Sequence, residues 1–236
     1  MELESDRRKF LRMSTVAGAG LLLPLGVNLT ALGGAQGKTQ EKVDDVSATE
    51  DLMREHGVLD RVLLIYEEVT RRLAEKNIFD PKLLAKSTQV IRNFIEDYHE
   101  KDEEAYLFPR FEKAGKLVEL VTVLRAQHLA GRRITDSIES LSTLASLKHE
   151  PSRRKLLQKI HIFLRMYRPH AAREDTVLFP AFRSIVSPQE YDAIGNEMEK
   201  KEKQLFGGDG FEMAVDQVTQ IEKALGIYDL AKFTPR

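Results

Sequence analysis

Cysteine is absent from all 236 residues of the chain. The absence excludes disulfide bonds, thiolate metal ligands and cysteine nucleophiles. It also means that an oxidising compartment would do the protein no harm. Neither a covalent cross-link nor thiol chemistry therefore contributes to the fold or to the function.

The chain also lacks an excess of charge of either sign. Charged residues make up 31% of the sequence, yet the formal net charge is -1, so no global field attracts nucleic acid or a membrane surface. A Gly-rich phosphate loop, a nucleophile triad and a flavin motif are absent from the sequence as well. We therefore expect no nucleic-acid partner.

Residues 1–37 differ in composition from the rest of the chain. Within "SDRRKFLRMS", Arg7 and Arg8 stand ahead of a Phe-Leu pair, and an uncharged segment follows. The apolar core of that segment is about a dozen residues, which is too short and too rich in Gly and Pro for a good spanning helix. This order resembles a twin-arginine signal peptide. The resemblance implies that the twin-arginine machinery exports the folded protein to the periplasm or cell envelope, and that the mature form has no stable membrane span. A small-residue cleavage site lies near Ala35, and an uncleaved anchor is the alternative.

Residues 38–47 are polar and are predicted to form a linker; after them the apolar residues recur with a helical period and without convincing strand alternation. Four helices of about 25 to 30 residues with short joins predict an all-α, antiparallel four-helix bundle over residues 48–185. Residues 186–236 form a predicted C-terminal helical extension. The predicted helices cover residues 48–76, 81–108, 117–147 and 152–177 in the bundle, and start at 187 and cover 211–225 in the extension.

Capping signals mark where several of these helices begin. Ser47 and Glu50 form a predicted capping box at the first helix, and Ser187 and Glu190 form another at the fifth. Asp80 is the predicted N-cap of the second helix, with a proline at the first helical position.

Proline and glycine mark where the helices end. The second helix should end or kink before Pro109, and the fourth, kinked near Pro169, should stop at Pro180, because proline lacks the amide and clashes with the preceding turn. Gly115 ends the region after the second helix, and Gly226 should close the last one.

One phrase occurs twice in the chain. "HEKDEEAYLFPRF" at residues 99–111 recurs as "HAAREDTVLFPAF" at residues 170–182, 71 residues later. Upstream, "IRNFIEDY" and "IHIFLRMY" share Ile, Phe and Tyr, and His56 and His128 lie 72 residues apart. A doubled helical hairpin explains this pattern. It predicts pseudo-symmetric positions for His56, His99, His128 and His170.

The repeated histidines and glutamates suit a pair of metal ions. A helix advances about 100° per residue, so His99 and Glu103 share one helix face, as do His170 and Glu174. One histidine from each remaining helix completes a set of four imidazoles and two carboxylates, which suits two transition-metal ions with bridging glutamates. Such groups would be very costly to bury without a cation. The predicted metal ligands are His56, His99, Glu103, His128, His170 and Glu174.

Two further histidines serve as controls. His149 lies in the Pro-containing loop after the third helix, and His161 should face away from His170; neither has a repeat partner. We predict that both lie on the surface. The two Leu-Phe-Pro segments are predicted to be core plugs and helix stops, whose phenylalanines could keep water from the metals.

The residues resemble a hemerythrin-like (HHE cation-binding) domain, whose signature is His, His-x-x-x-Glu, His and His-x-x-x-Glu/Asp on four successive helices. The match covers about residues 47–185 and includes the Leu-Phe-Pro after each carboxylate. The resemblance implies two non-haem iron ions, with manganese as the alternative metal. Such a centre binds dioxygen, nitric oxide or a related small ligand, or senses iron and oxygen.

The sequence departs from the oxygen-carrying members of this family in the third helix. Those members have a second histidine one turn from the first, and the corresponding residues here are Leu124 and Arg132. One iron therefore loses a ligand, which water or another carboxylate replaces, and the extra open position invites redox chemistry. Glu100, directly after His99, resembles an additional ligand used by iron-sensing members.

Three functions follow from these features. The first, which we favour, is an exported di-iron protein that binds oxygen or a related diatomic gas, or senses or buffers metal, and is not an enzyme. The second is a di-iron oxidase or peroxidase acting on peroxide, nitric oxide or ferrous iron. The third is a bundle that its metals only stabilise.

Overall fold

A computed structural model describes residues 46–77 and 79–235 of the chain, and these residues contain helices and no strand. The prediction of an all-α bundle is confirmed. The predicted leader and all but the end of the predicted linker lie outside the described residues. The elements are α1 (Ala48–Ala74), α2 (residues 81–114), α3 (Val118–Leu141), α4 (Leu144–Lys148), α5 (residues 150–182), α6 (Pro188–Phe206), α7 (Gly210–Leu225) and a 3₁₀ turn (Leu230–Phe233).

Four long helices form the bundle. Helix α1 packs against α2 and α5, and α3 packs against the same two helices. The apolar faces of these helices meet in a core that includes the fully buried rings of Tyr66, Phe163 and Tyr167. A second apolar cluster contains Phe108 and Phe179, at the level of the repeated Leu-Phe-Pro segments. The functional side chains lie between the two clusters.

The predicted capping signals are mostly confirmed. The backbone N–H of Ser47 donates to the carboxylate of Glu50 at 3.0 Å, and the Asp80 carboxylate accepts from the amide at position 82 at 2.9 Å. At the start of α6, the Ser187 hydroxyl accepts from the amide of Glu190. The Glu190 carboxylate, however, accepts from the guanidinium of residue 110, so the second capping box is not formed as predicted.

The helix stop predicted at Pro180 is wrong, and of the end or kink predicted before Pro109 the end does not occur, because α2 and α5 both continue past the proline. A π-helical turn ends two residues before each proline, over Glu103–Leu107 in α2 and Glu174–Leu178 in α5. The carbonyl of the glutamate that begins each turn accepts a hydrogen bond from the amide five residues later. The wider turn shifts the hydrogen-bond register, so the helix can accept a residue that has no amide.

Helices α2 and α5, which correspond to the predicted second and fourth helices, differ from the prediction in further details. A longer π-helical segment, Ile91–His99, interrupts α2 ahead of the first repeated histidine. Pro169 lies inside the α-helical segment Glu150–Arg173 of α5.

The predicted third helix, residues 117–147, is divided into α3 and α4. Thr143 caps the short helix α4, because its hydroxyl accepts a hydrogen bond from the amide at position 146. Gly115 and Gly226 close α2 and α7 with positive φ angles of 63° and 73°.

The two C-terminal helices pack on the first half of the bundle. Helix α7 contacts α1 and α2, and α6 contacts α1. The guanidinium of Arg61 donates to both carboxylate oxygens of the buried Glu222 at 3.0 and 2.6 Å. Lys201 of α6 forms an ion pair with the buried Asp102 of α2. None of the helices in the described part of the chain is long and apolar enough to cross a membrane.

Candidate metal centre

The structure brings the six predicted ligands together in the middle of the bundle. All six side chains are buried, with relative exposures of at most 4%. Their donor atoms fall into two groups that share Glu103, and within each group the atoms lie within 4.8 Å of one another. The first group is His56, His99 and Glu103, and the second group is Glu103, His128, His170 and Glu174.

Several distances between donor atoms match those expected around metal ions, whereas the Nε2 atom of His99 lies further, 3.9 Å, from a Glu103 oxygen. The Nε2 atoms of His56 and His99 are 3.1 Å apart. The Nε2 atom of His128 lies 3.4 Å from a Glu103 oxygen, and that of His170 lies 3.1 Å from a Glu174 oxygen. Metal–ligand bonds of about 2.1 Å place neighbouring donors roughly 3.0–3.4 Å apart. The described side chains can therefore hold cations without large rearrangement.

Several buried polar atoms at the centre are not satisfied by hydrogen bonds within the described part of the chain. Among the described residues, neither oxygen of Glu103 or Glu174 and not the Nε2 atom of His128 makes a hydrogen bond of acceptable geometry. Burial, and then the neighbouring Glu174 carboxylate, raises the pKa of Glu103 well above its usual range. The Glu103 and Glu174 carboxylates repel each other in the buried site, although for Glu174 burial is outweighed by the imidazoles of His170 and His56, which lower its pKa. A cation between them supplies the missing charge, so the donor set fits a metal.

In each of the four predicted ligand histidines, Nε2 faces the centre and Nδ1 forms a hydrogen bond that holds the ring in place. The Nδ1 atoms contact an oxygen of a neighbouring helix at 2.8 to 3.1 Å. Such contacts fix the ring orientation and direct Nε2 toward a metal. For His56, burial alone would lower the pKa, but its contacts with Asp175 and Glu174 outweigh burial and raise the pKa to about 9. The pairs are His56 with Asp175, His99 with Glu55, His128 with Glu104, and His170 with Gln127.

These outer partners follow the internal repeat, although the sequence analysis missed them. Glu55 and Gln127 each precede a predicted ligand histidine, and Glu104 and Asp175 each follow a predicted ligand glutamate. A residue beside a ligand lies about 100° round the helix and so faces a neighbouring helix. An oxygen-bearing side chain at the same repeat position in both halves was the signal that could have found them.

Aromatic rings cover the centre on one side, and each of the two repeated halves of the chain contributes one ring. Phe108 stacks on His128 with ring centroids 5.4 Å apart, and Phe179 stacks on His56 at 5.5 Å. Both phenylalanines are fully buried. Their place in the core, as the repeated Leu-Phe-Pro segments predicted, is confirmed, and their rings cover the two imidazoles.

Glu100 lies apart from both groups that contain Glu103. Its carboxylate accepts a hydrogen bond from the Tyr167 hydroxyl at 2.8 Å and lies 2.7 Å from the guanidinium of Arg132. Burial raises the pKa of Glu100 to about 8, although the Arg132 charge opposes this. Glu100 belongs instead to a third group of potential donors with Glu104 and His128, in which Arg132 already supplies a positive charge.

The remaining positions singled out in the sequence are also placed. Leu124 is buried in the second apolar cluster, and Arg132 binds Glu100 and Glu104, so neither offers a metal ligand. His149 and His161 are exposed, as predicted.

Gly131 allows Tyr167 to reach Glu100. A Cβ atom at this glycine would lie 2.0 Å from the Tyr167 hydroxyl oxygen and 2.8 Å from its ring. Any larger residue would therefore displace the tyrosine. The sequence analysis did not predict this contact, because it depends on how α3 packs against α5.

The chain matches known proteins along most of its length. The hemerythrin HHE cation binding domain family matches residues 47–182. Two relatives, uncharacterized protein Rv1995 of Mycobacterium tuberculosis and uncharacterized protein Mb2018 of Mycobacterium bovis, are each 49% identical over 197 residues, which is 84% of this chain and 77% of the relative. No solved structure matches the chain. The shared buried cluster and the family match agree that this chain is a cation-binding helical protein, and it belongs to the hemerythrin HHE cation binding domain family.

Proposed function

We propose that this protein is a non-haem di-iron protein whose centre binds dioxygen or a related diatomic gas such as nitric oxide. One observation carries the proposal: two groups of buried donors share Glu103, and neither of its oxygens makes a hydrogen bond of acceptable geometry within the described residues. Imidazole and carboxylate donors suit iron, and manganese is the alternative metal. The proposed ligands are His56, His99, Glu103, His128, His170 and Glu174.

The roles of the chain's own residues follow from this geometry. Glu103 would bridge the two ions, and Glu174, whose oxygen lies 3.5 Å from the Nε2 of His56 and 3.1 Å from that of His170, is placed to do the same. The three outer carboxylates and the amide oxygen of Gln127 accept hydrogen bonds from Nδ1–H of the imidazoles and leave Nε2 free to bind. Bound iron would supply reversible electron transfer and open positions for a small ligand. The stacked phenylalanines restrict water at the centre.

A second function, a di-iron oxidase or peroxidase, is supported by a separate observation. With Glu103 and Glu174 placed to serve both ions, the six protein donors leave open positions at each ion. Neither Leu124 nor Arg132 supplies the additional histidine. An ion with fewer protein ligands has more open positions, which favours turnover of peroxide, nitric oxide or ferrous iron over reversible binding.

One optical experiment separates the two functions. The iron-loaded protein is reduced, exposed to air and then returned to an oxygen-free atmosphere. A long-lived absorption band that disappears when oxygen is removed supports gas binding. Rapid conversion to the ferric form, with peroxide consumed over repeated additions, supports the enzyme instead. A reduced, iron-loaded sample whose spectrum is indifferent to both oxygen and peroxide contradicts both functions.

We further propose that the protein is exported by the twin-arginine pathway. The support for this is the arrangement of Arg7, Arg8 and the mildly apolar segment after them, which lies outside the described residues. The ligands come from four helices and converge only in the folded bundle. Export of a folded chain would therefore preserve a metal centre that is assembled in the cytoplasm.

A further inference from the structure

The outer surface of helix α5 is strongly basic, although the chain as a whole has a net charge of -1. Its α-helical segment, Glu150–Arg173, contains seven Lys and Arg residues and a single acidic residue. The corresponding segment of α2, residues 81–102, contains four basic and four acidic residues. The basic character therefore belongs to the second half of the repeat, and the bundle itself does not require it.

Five of these cations are exposed and lie on one side of the helix. Since a helix advances about 100° per residue, the five fall within an arc of about 140°. At 1.5 Å per residue, the first and the last are about 29 Å apart along the axis. We call this surface the α5 basic face, and its cations are Arg154, Lys155, Arg165, Arg168 and Arg173.

Most of the positive charge on the α5 basic face is not neutralised by nearby acids. Arg154 forms an ion pair with Glu150, and Arg168 forms one with Glu67 of α1, but all four side chains are about half exposed or more. Exposed pairs of this kind contribute little energy and can rearrange. Within the described part of the chain, no ion pair is formed by the other three cations, which are Lys155, Arg165 and Arg173.

An exposed apolar side chain lies among these cations. Ile162 is 43% exposed, and it lines an open depression on the helix to which Arg154 and Arg165 also contribute. The aromatic residues of the segment, Phe163 and Tyr167, are buried, so the face offers no ring on which a nucleic-acid base could stack. Cations around an exposed isoleucine suit a layer of anionic lipid headgroups, where charge and an apolar side chain both find a partner.

The C-terminal helices cover the other half of the bundle. Helix α7 contacts α1 and α2, and α6 contacts α1. No described residue covers the α5 basic face in the same way, since its five cations stay exposed. The face is therefore open to a partner that is not part of the described chain.

We propose that the α5 basic face binds the anionic phospholipid surface of a membrane, so that the bundle lies on the bilayer and does not cross it. The cations are attracted to the lipid phosphates, and Ile162 enters the boundary between headgroups and acyl chains. Because α5 is basic while the net charge is -1, the rest of the chain is acidic on balance. An anionic surface repels those other faces, and this selects one orientation. The inference is independent of the ligand that the metal centre binds.

The test titrates the full, iron-loaded chain with vesicles and measures the bound fraction by sedimentation. Vesicles of equimolar phosphatidylcholine and phosphatidylglycerol should bind the chain more tightly than vesicles of pure phosphatidylcholine, and added salt should weaken the binding. Each basic residue near an anionic bilayer contributes roughly fivefold to binding. The double variant Lys155→Gln, Arg165→Gln should therefore bind roughly 30-fold more weakly.

The matched control is the double variant Lys82→Gln, Lys86→Gln. These lysines are exposed on α2, so the control removes the same charge from a different surface and should keep the affinity of the wild type. Residues 1–37 are identical in all variants, so any affinity of their own for lipid cancels in the comparison. Circular dichroism on each sample verifies the fold.

The absence of cysteine from the chain allows a second readout that locates the contact. Ile162→Cys is labelled with a polarity-sensitive fluorophore, and its emission should shift to shorter wavelength on anionic vesicles. The control is Met213→Cys on α7, where the native side chain is 45% exposed, and its emission should not shift. This readout decides the matter if the glutamine variant fails to fold.

Several results would overturn the proposal. Equal binding to neutral and anionic vesicles would do so, as would equal affinities of the two double variants. A label at Ile162→Cys that does not respond on vesicles holding the protein contradicts contact through this face. Binding to poly-glutamate or to duplex DNA, with none to anionic vesicles, would also overturn the proposal and assign the face to another polyanion.

Discussion

At the scale of single residues, the centre depends on the two ring nitrogens of each predicted ligand histidine, which face in opposite directions. Each predicted ligand imidazole directs Nε2 to the centre and Nδ1 to an oxygen on another helix. Spacing along the sequence indicated the inward groups, since a histidine and a glutamate four residues apart share a helix face. The outward partners depend on which helices are neighbours, which spacing within one helix does not contain.

Replacement of His170 by alanine should remove metal from the protein and lower its thermal stability. His170 contributes to the four-donor group, and bound metal stabilises a folded chain by about 2.7 kcal/mol at a hundredfold excess over Kd. The matched control is His161→Ala, on the same helix but exposed. Metal content and melting temperature are measured for both. Equal loss of metal in the two variants would show that the helical-face argument is wrong.

Replacement of Gly131 by alanine should destabilise the bundle and separate Tyr167 from Glu100. The added Cβ meets the Tyr167 hydroxyl oxygen at 2.0 Å, and overpacking of this kind costs about 1–3 kcal/mol. Gly57 is a matched control in another bundle helix, because a Cβ there meets nothing within 4 Å. Gly57→Ala should stabilise by about 1 kcal/mol through helix propensity. Urea unfolding gives both values, and a neutral Gly131→Ala would contradict the contact.

At the scale of helices, the sequence predicted where helices begin more accurately than where they end. Ser47, Asp80 and Ser187 were identified as N-caps because the chemistry of capping is local. The stop predicted at Pro180 was wrong and the end that was one alternative at Pro109 did not occur, because a π-helical turn precedes each proline and the helix continues. Such a turn has no residue preference strong enough to read from one sequence. It is visible only once the amides and carbonyls have been paired.

The docking of α7 on α1 should depend on Arg61. Its guanidinium binds both oxygens of Glu222, which is largely buried, and the hydroxyl of Thr219. Arg61→Ala leaves that carboxylate without its charged partner, so we expect a loss of about 1.5–3 kcal/mol in the free energy of unfolding. Limited proteolysis between α6 and α7 should become faster.

Arg71, on the same helix, provides the control for this prediction. Its ion pairs are with Glu68 and Glu75 on its own helix, and its side chain is half exposed. Exposed pairs of this kind contribute little, so Arg71→Ala should leave both unfolding and proteolysis unchanged. If the two arginine variants behaved alike, the Arg61 contacts would not be what holds α7.

At the scale of the whole molecule, the duplication is what made the sequence informative. A lone histidine carries little meaning, but two copies of the phrase 71 residues apart predicted which four helices meet. The structure brings the six predicted side chains into two groups around Glu103. What duplication could not indicate is where the halves differ. The contact among Gly131, Tyr167 and Glu100 has no counterpart in the other half, and it emerged only from the packing of α3 against α5.

Export is the second property of the whole chain that can be tested. Replacing Arg7 and Arg8 by lysine should leave the protein in the cytoplasm, folded and still carrying metal, because the pair is the feature that resembles a twin-arginine signal. Cell fractionation with metal analysis of each fraction measures the outcome. A Lys-Lys variant that reached the envelope at the normal level would show that residues 1–37 act in another way.

The account as a whole depends on two donor groups that share Glu103, and the number of metal ions per chain tests it most directly. The measurement is elemental analysis of folded protein that has been fully loaded and freed of loose metal, with protein concentration determined on the same sample. Six donors in two groups predict two ions per chain, chiefly iron. A fully loaded, folded sample that contains one ion or none would contradict the paired centre.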